Sequence, residues 1–283
     1  MRLRAIILSA VILLGSATPA LADTPVVNSA PARSIIYTLY DNGQSTASGN
    51  INASIPTESQ SKLFLAYYVL QHGTEDEKSR IPYMISVSSD RWADILDSRY
   101  PQAIDSVAGQ FGLTGTKRGQ SWGFSHTTAF DLARFLKIIR DDPIAAPIRE
   151  GMEHWAPVAA DGYHQGYGSA TVAGARGSKF GWSDNGDDNI STTYGDGWVM
   201  VAHTYGSAAD NTDDVRAAIS YIAPQPATPT PTPTATPLEI ALGNIKIPAV
   251  RGIDLKNKLR CVQVPIDDDQ LLPAPLVNIL PQC

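Results

Sequence analysis

Residues 55–70 read Ile-Pro-Thr-Glu-Ser-Gln-Ser-Lys-Leu-Phe-Leu-Ala-Tyr-Tyr-Val-Leu, and this stretch decides the fold. Pro56 introduces a helix expected over residues 59–71, with Leu63, Ala66, Tyr67 and Leu70 recurring at the i, i+3, i+4, i+7 spacing of one helical face. Gly73 ends it. At its start stand Ser59 and Lys62, three residues apart, which a helix brings to the same face. A lysine held neutral beside a serine hydroxyl can take its proton and make the oxygen a nucleophile. The simpler alternative is a serine capping a helix next to a solvated lysine, and a single Ser-x-x-Lys does not separate the two.

Working outward, Ser34–Tyr40 reads as a strand that closes on Asp41-Asn42-Gly43, a hairpin-turn signal, with a weaker strand over 45–51. Short helices are expected at 82–87, 92–100 and 102–111. Thr127 or Thr128 caps another at 129–140, with Leu132, Phe135, Leu136 and Ile139 inward. Strand patterns return at 175–182 and 197–205, where Trp198, Met200 and Ala202 alternate with Val199, Val201 and His203. A helix over 210–221 closes the region. Strands at both ends with helices between predict an α+β fold, an antiparallel sheet formed from N- and C-terminal strands packed against a helical section.

The flanks have a different composition. Residues 1–22 carry Arg2 and Arg4, an apolar run over 5–14 and a small-x-small site at Ala20-Leu21-Ala22, the pattern of a cleaved secretory signal. The expected location is therefore secreted or cell-envelope. Of the 22 basic side chains, cleavage removes two and leaves 20 against 28 acidic ones, so the net charge moves from −6 to −8. Such a balance argues against nucleic acid as a partner. Residues 224–237 hold six prolines and five threonines, a stiff spacer of about 40 Å that separates a domain at 23–223 from a tail at 238–283. Both cysteines, Cys261 and Cys283, fall in that tail, where they can bridge in an oxidising setting or stay free. The tail is the candidate for cell-envelope contacts.

Three further motifs, in order, give the first one its context. Met84-Ile85-Ser86-Val87-Ser88-Ser89-Asp90-Arg91-Trp92-Ala93, Trp122-Gly123 through Thr127-Thr128-Ala129, and Lys179-Phe180-Gly181-Trp182 follow the Ser-x-x-Lys helix. Together these resemble the serine β-lactamase and penicillin-binding-protein superfamily over residues 35–221, most closely its exported, actinobacterial-type hydrolases. The resemblance implies Ser59 as acyl-forming nucleophile and Lys62 as its general base. It implies Ser89, counted back from Ala93, as proton shuttle, with Ser88 one residue earlier as the alternative. Lys179 would place positive charge near the substrate carboxylate. The N–H groups of Ser59 and Trp182 would form an oxyanion hole beside Gly181. Substrates would be β-lactams, peptidoglycan-derived peptides or related small amides and esters, with no cofactor and no metal.

Departures from the superfamily's pattern accompany it. Arg91 stands where the second motif usually has Asn, placing an arginine at a substrate-contact position. Phe180 replaces the hydroxyl residue of Lys-Thr-Gly. No Glu lies between Asp97 and Phe130, where class A β-lactamases keep the base that activates the deacylating water. A catalytically impaired envelope-binding protein of the same fold is therefore the alternative function.

Two other motifs compete less well. Gly119-Gln120-Ser121-Trp122-Gly123 matches a nucleophile elbow, but the polar, turn-rich 114–118 precedes it instead of a buried strand, so a loop serine is expected. Asp184-Asn185-Gly186-Asp187-Asp188-Asn189 has calcium-loop composition without the EF-hand spacing, so a polar hairpin loop is expected. The five histidines lack a metal spacing. Trp122, Trp155, Trp182 and Trp198 are candidates for either a cleft wall or the core.

Overall fold

A computed structural model describes residues 24–222, together with 241–242 and 245–246. The expected signal at 1–22, the spacer at 224–237 and both cysteines lie outside the described residues. Contacts divide the chain into units at Met1–Pro224 and Gln225–Cys283. Of the second unit, the described part is one short antiparallel pair, Ala241–Leu242 with Ile245–Lys246.

The first unit is built on a five-stranded antiparallel sheet. Its strands are β2 (Ser34–Tyr40), β3 (Ser45–Ser48), β6 (Ala175–Trp182), β7 (Asp188–Gly195) and β8 (Trp198–Tyr205), in the spatial order β3-β2-β8-β7-β6. The helical section between β3 and β6 comprises α1 (Ser61–His72), α2 (Glu75–Ser79), α3 (Ile81–Ser86), α4 (Asp90–Arg99), α5 (Ala103–Phe111), α6 (Ala129–Asp141) and α7 (Ala146–Glu153). This is the α+β arrangement that the strand and helix patterns predict. Two smaller antiparallel pairs complete the unit: β1 (Thr24–Val27) with β9 (Ile219–Ile222), which joins its two ends, and β4 (Ile55–Pro56) with β5 (His126–Thr127).

The alternation in β8 sorts its side chains to two cores, because successive strand residues point to opposite faces. Val199 and Val201 join Tyr37 of β2 and the inward faces of α1 and α6, around a stacked Phe64–Phe135 pair at 4.5 Å. Trp198, Met200 and Ala202 join Ile36 and cover the opposite face with Val215 and Ala218 of α8 (Ala208–Ala218). Thr128 caps α6 by accepting from the Asp131 N–H at 3.0 Å.

Several boundaries differ from the sequence reading, each for a local reason. The weaker strand stops at Ser48 because Gly49 turns the chain at φ +86°. The closing helix ends at Ala218, and the residues beyond it pair with β1. The Ser-x-x-Lys segment starts with a 3-10 turn over Glu58–Gln60, and α1 proper begins at Ser61. Helix α1 is also enclosed on nearly every side; Ser61 through Tyr67, Val69 and Leu70 are all buried. Ser59 therefore sits on a short tight turn ahead of a central, buried helix.

Candidate active site

Four segments meet beneath one cleft: the turn at Glu58–Gln60, the loop after α3, strand β6, and the loop that precedes β5. At the floor, the Lys62 ammonium donates to Ser59 Oγ at 2.5 Å and lies 3.5 Å from Ser88 Oγ. Lys179 Nζ donates to the same Ser88 hydroxyl at 2.7 Å and to the Phe180 carbonyl at 2.8 Å. Both lysines are wholly buried. Ser59, Lys62 and Lys179 thus converge around the Ser88 hydroxyl.

The second motif is corrected by one residue, from Ser89 to Ser88. Ser89 points the other way and caps α4, accepting from the Trp92 N–H at 3.4 Å. Ser88 reaches the lysines because its backbone turns left-handed, at φ +52°. Together with Glu58 at φ +46°, it is one of two non-glycine residues at positive φ among the described residues, and both lie beside the Ser59–Lys62 pair. Such strain is held in place only where the surroundings fix it, and it clusters at functional sites.

The shift also replaces Arg91. Arg91 is exposed and lines no part of the cleft. Asp90 takes its expected position, and its carboxylate accepts from Lys62 Nζ at 2.7 Å. Burial draws the Lys62 pKa below the ordinary lysine value, with Asp90 opposing that effect. Lys179 lies well below its ordinary value because of burial, and the neighbouring charge of Lys62 adds to the effect.

Gly181 fits against the Glu58–Gln60 turn with no room for a side chain. A Cβ there would stand 2.9 Å from the Ser59 backbone nitrogen and 2.8 Å from the Glu58 Cβ. The turn is further locked by Gln60, which the sequence reading missed. Its buried amide donates to the Lys179 carbonyl at 3.0 Å and accepts from Thr192 Oγ1 at 2.8 Å. Ser59 is thereby fixed relative to β6. Burial, reinforced by Asp188 and Asp184 and opposed by Lys62, pushes the Glu58 carboxyl up to about 7.

The walls depart from the expected pattern. Trp122 lies over Lys62, with Nζ 3.9 Å from the ring centroid. It is held there by Asp94, which accepts from its indole N–H at 2.7 Å, and by Asp97, which accepts its backbone N–H at 3.2 Å. The stretch 113–128 contains no carboxylate, and the residue it offers to the floor is this indole. Trp182 lines the opposite wall, stacked on Tyr163 at 4.4 Å, and donates to Asp161 at 3.0 Å. Phe180 is buried, its ring against Trp155 and Tyr167. Among the tryptophans, Trp122 and Trp182 face the cleft and Trp198 belongs to the core.

Neither competing motif makes a second site. Ser121 lines the same cleft in an irregular loop with no strand leading into it. His203 is buried on β8 and bonds Asp188 at 2.9 Å. Asp184 lies in the β6–β7 hairpin loop. Among the described residues, no group of three His, Cys, Asp or Glu could hold a metal ion.

A sheet of this order, flanked by α8 on one face and the helical section on the other, with Ser59, Lys62, Ser88 and Lys179 at their junction, defines a serine β-lactamase/penicillin-binding-protein-like fold. Three solved structures share it. A β-lactamase from Sphaerobacter thermophilus superposes with a TM-score of 0.51 at 13% identity, over 65% of this chain and 89% of that one. A β-lactamase from Xanthomonas campestris gives 0.51 at 16%, covering 66% and 90%. A putative class A β-lactamase from Rhodopseudomonas palustris gives 0.51 at 14%, covering 66% and 92%. No protein-family model matches the sequence, and no curated protein matches it either.

Proposed function

We propose that this protein is an exported serine hydrolase that forms an acyl-enzyme at Ser59 on small-molecule or peptidoglycan-derived amides and esters. The observation that carries this reading is the buried chain Ser59–Lys62–Ser88–Lys179, strung together at hydrogen-bonding distances below an open cleft. With Lys62 as the free amine, Ser59 Oγ attacks the substrate carbonyl carbon while its proton passes to Lys62 Nζ. The Ser59 and Trp182 N–H groups serve the developing oxyanion. Ser88 then passes a proton to the leaving nitrogen or oxygen and is reprotonated from Lys62, as the carbonyl–leaving-group bond breaks. Water attacks the resulting ester, releases the acid and restores Ser59.

Burial lowers the proton affinity of both lysines, which supports the general-base assignment because the free amine is the proton acceptor. The secretory pattern at 1–22 supports export and an envelope location. One observation favours the second reading, a binding protein that has lost turnover. Asp90 beside Lys62 stabilises the ammonium form that cannot take the Ser59 proton. Steady-state hydrolysis of the neutral ester S-ethyl thioacetate discriminates. The hydrolase reading predicts turnover that falls at least about 1,000-fold in Ser59→Ala. A folded wild type with no more activity than Ser59→Ala leaves the binding protein as the account.

A further inference from the structure

We propose that the cleft above Ser59 selects substrates carrying a cationic group, such as an ammonium, beside the scissile carbonyl, and rejects those carrying a carboxylate there. This inference rests on the acyl-transfer reading and names its substrate class. The cleft encloses about 510 Å³, and its lining includes the carboxylates of Asp90, Asp94, Asp161 and Asp184, the Glu58 carboxyl and His126, but no Lys or Arg. The two lysines of the floor are wholly buried, Lys62 bonded to Asp90 and Ser59, and Lys179 to Ser88 and the Phe180 carbonyl. Lys62 offsets the Asp90 charge, which leaves Asp94, Asp161 and Asp184 on the walls.

Aromatic rings accompany the carboxylates on both walls. Trp122 donates its indole N–H to Asp94, and Trp182 donates its own to Asp161. Phe124, 67% exposed, completes the rim. Ring faces and carboxylates together are the composition that receives an organic cation. One seat of this kind is already used from below, since the Lys62 ammonium lies against the Trp122 ring. The proton retained by Glu58 reports the same field, because Asp188 and Asp184 add to burial in raising its pKa to about 7.

Between the Ser88 loop and β6, position 180 presents no hydroxyl to an anion. Position 180 is a phenylalanine whose ring is buried against Trp155 and Tyr167. The segment carrying those rings is fastened across the gap, with the Ala156 N–H on the Ser86 carbonyl at 3.0 Å and the Ala160 N–H on the Val87 carbonyl at 2.8 Å. Reversing a ligand's charge about 6 Å from a carboxylate at a near-surface dielectric changes its energy enough for a factor of at least 10. Several carboxylates multiply that factor.

Three thioesters with the same acetyl group test the inference. They are acetylthiocholine (cationic leaving group), S-ethyl thioacetate (neutral) and S-acetyl-3-mercaptopropionate (anionic). At low salt, kcat/KM should run cationic above neutral above anionic, with at least about a 30-fold span that shrinks in 0.5 M NaCl. Asp184→Lys should cut the span at least about threefold. Equal rates for the three, or preference for the anion, would overturn the inference while leaving the Ser59 reading intact. If none is hydrolysed, the Ser59 reading fails and selectivity is read from binding. The indole N–H resonances of Trp122 and Trp182, assigned with Trp→Phe variants, should shift with tetramethylammonium and not with acetate. No shift with the cation, or an equal shift with acetate, would sink the inference.

Discussion

The floor and the walls of the cleft follow different rules. At the floor, Ser59, Lys62, Ser88 and Lys179 meet at hydrogen-bonding distances, with Ser88 where the sequence reading set Ser89. On the walls, Asp90 replaces an amide, Trp122 occupies the approach to Lys62 from a loop without a carboxylate, and Phe180 replaces a hydroxyl. Proton transfer needs fixed geometry in a dry setting, so its parts are buried and tied to α1 and β6. Recognition needs only surface, so it changes without disturbing the fold. In the proposed hydrolase, acyl-transfer chemistry and substrate choice are therefore separable.

The largest effects should come from the floor. Ser88→Ala removes the hydroxyl shared by the two lysines and should lower kcat about 100-fold or more, the usual weight of a positioned proton carrier. Ser89→Ala loses only a helix cap; it should cost about 1 kcal/mol of stability and leave kcat within about threefold. Thioester kinetics and thermal unfolding of the pair check this, and the reverse ranking would restore Ser89 to the site.

An intermediate effect is expected at the boundary between floor and wall. Asp90→Asn removes the negative charge that favours the Lys62 ammonium, so the Lys62 pKa falls further. The free amine is then present at lower pH, and the acid limb of the kcat/KM profile should move down by about one pH unit. A limb that moves up, or stays, would show that Asp90 does not govern Lys62.

The smallest effect concerns Glu58. Its folded pKa of about 7 lies above the ordinary carboxylate value, so the folded state holds a proton that the unfolded chain has released. Stability from this group is complete below the unfolded value near pH 4.5 and is lost as pH rises through 7. Glu58→Gln should therefore stabilise the protein by about 1 kcal/mol at pH 8, after allowance for partial solvent screening, with little change at pH 4. Denaturant unfolding at the two pH values measures it, and equal gains at both would refute the assignment.

Much of the floor was legible because spacing along a helix is rigid. Ser59 and Lys62, three residues apart, stay together even though the serine proves to lie on a 3-10 turn. The step from Ser89 to Ser88 was not legible, because it depends on a left-handed backbone at a non-glycine residue. Misplacing that residue carried Arg91 into the site in place of Asp90. Strand β7 was missed for another reason. Its sequence, Asp-Asn-Ile-Ser-Thr-Thr-Tyr-Gly, reads as a polar loop, yet all eight residues are buried. The hydroxyls satisfy one another and their neighbours: Thr193 with Ser169 and Ser178, Ser191 with Asn211, and Thr192 with Gln60. Patterns of hydrophobicity do not reveal a central strand whose polar groups are paired internally. The wall residues Asp161 and Tyr163 come from a segment with no motif, placed by contacts with Trp182.

The central claim is that Ser59 is a nucleophile activated by Lys62. Its most direct test is to treat the full chain with a neutral fluorophosphonate and map the adduct by intact mass and peptide sequencing. The account predicts a single stoichiometric phosphonyl group on Ser59, absent from Ser59→Ala and formed at least about 100-fold more slowly in Lys62→Ala. A folded protein that stays unlabelled, or labels on Ser121 or Ser88 instead, would contradict it.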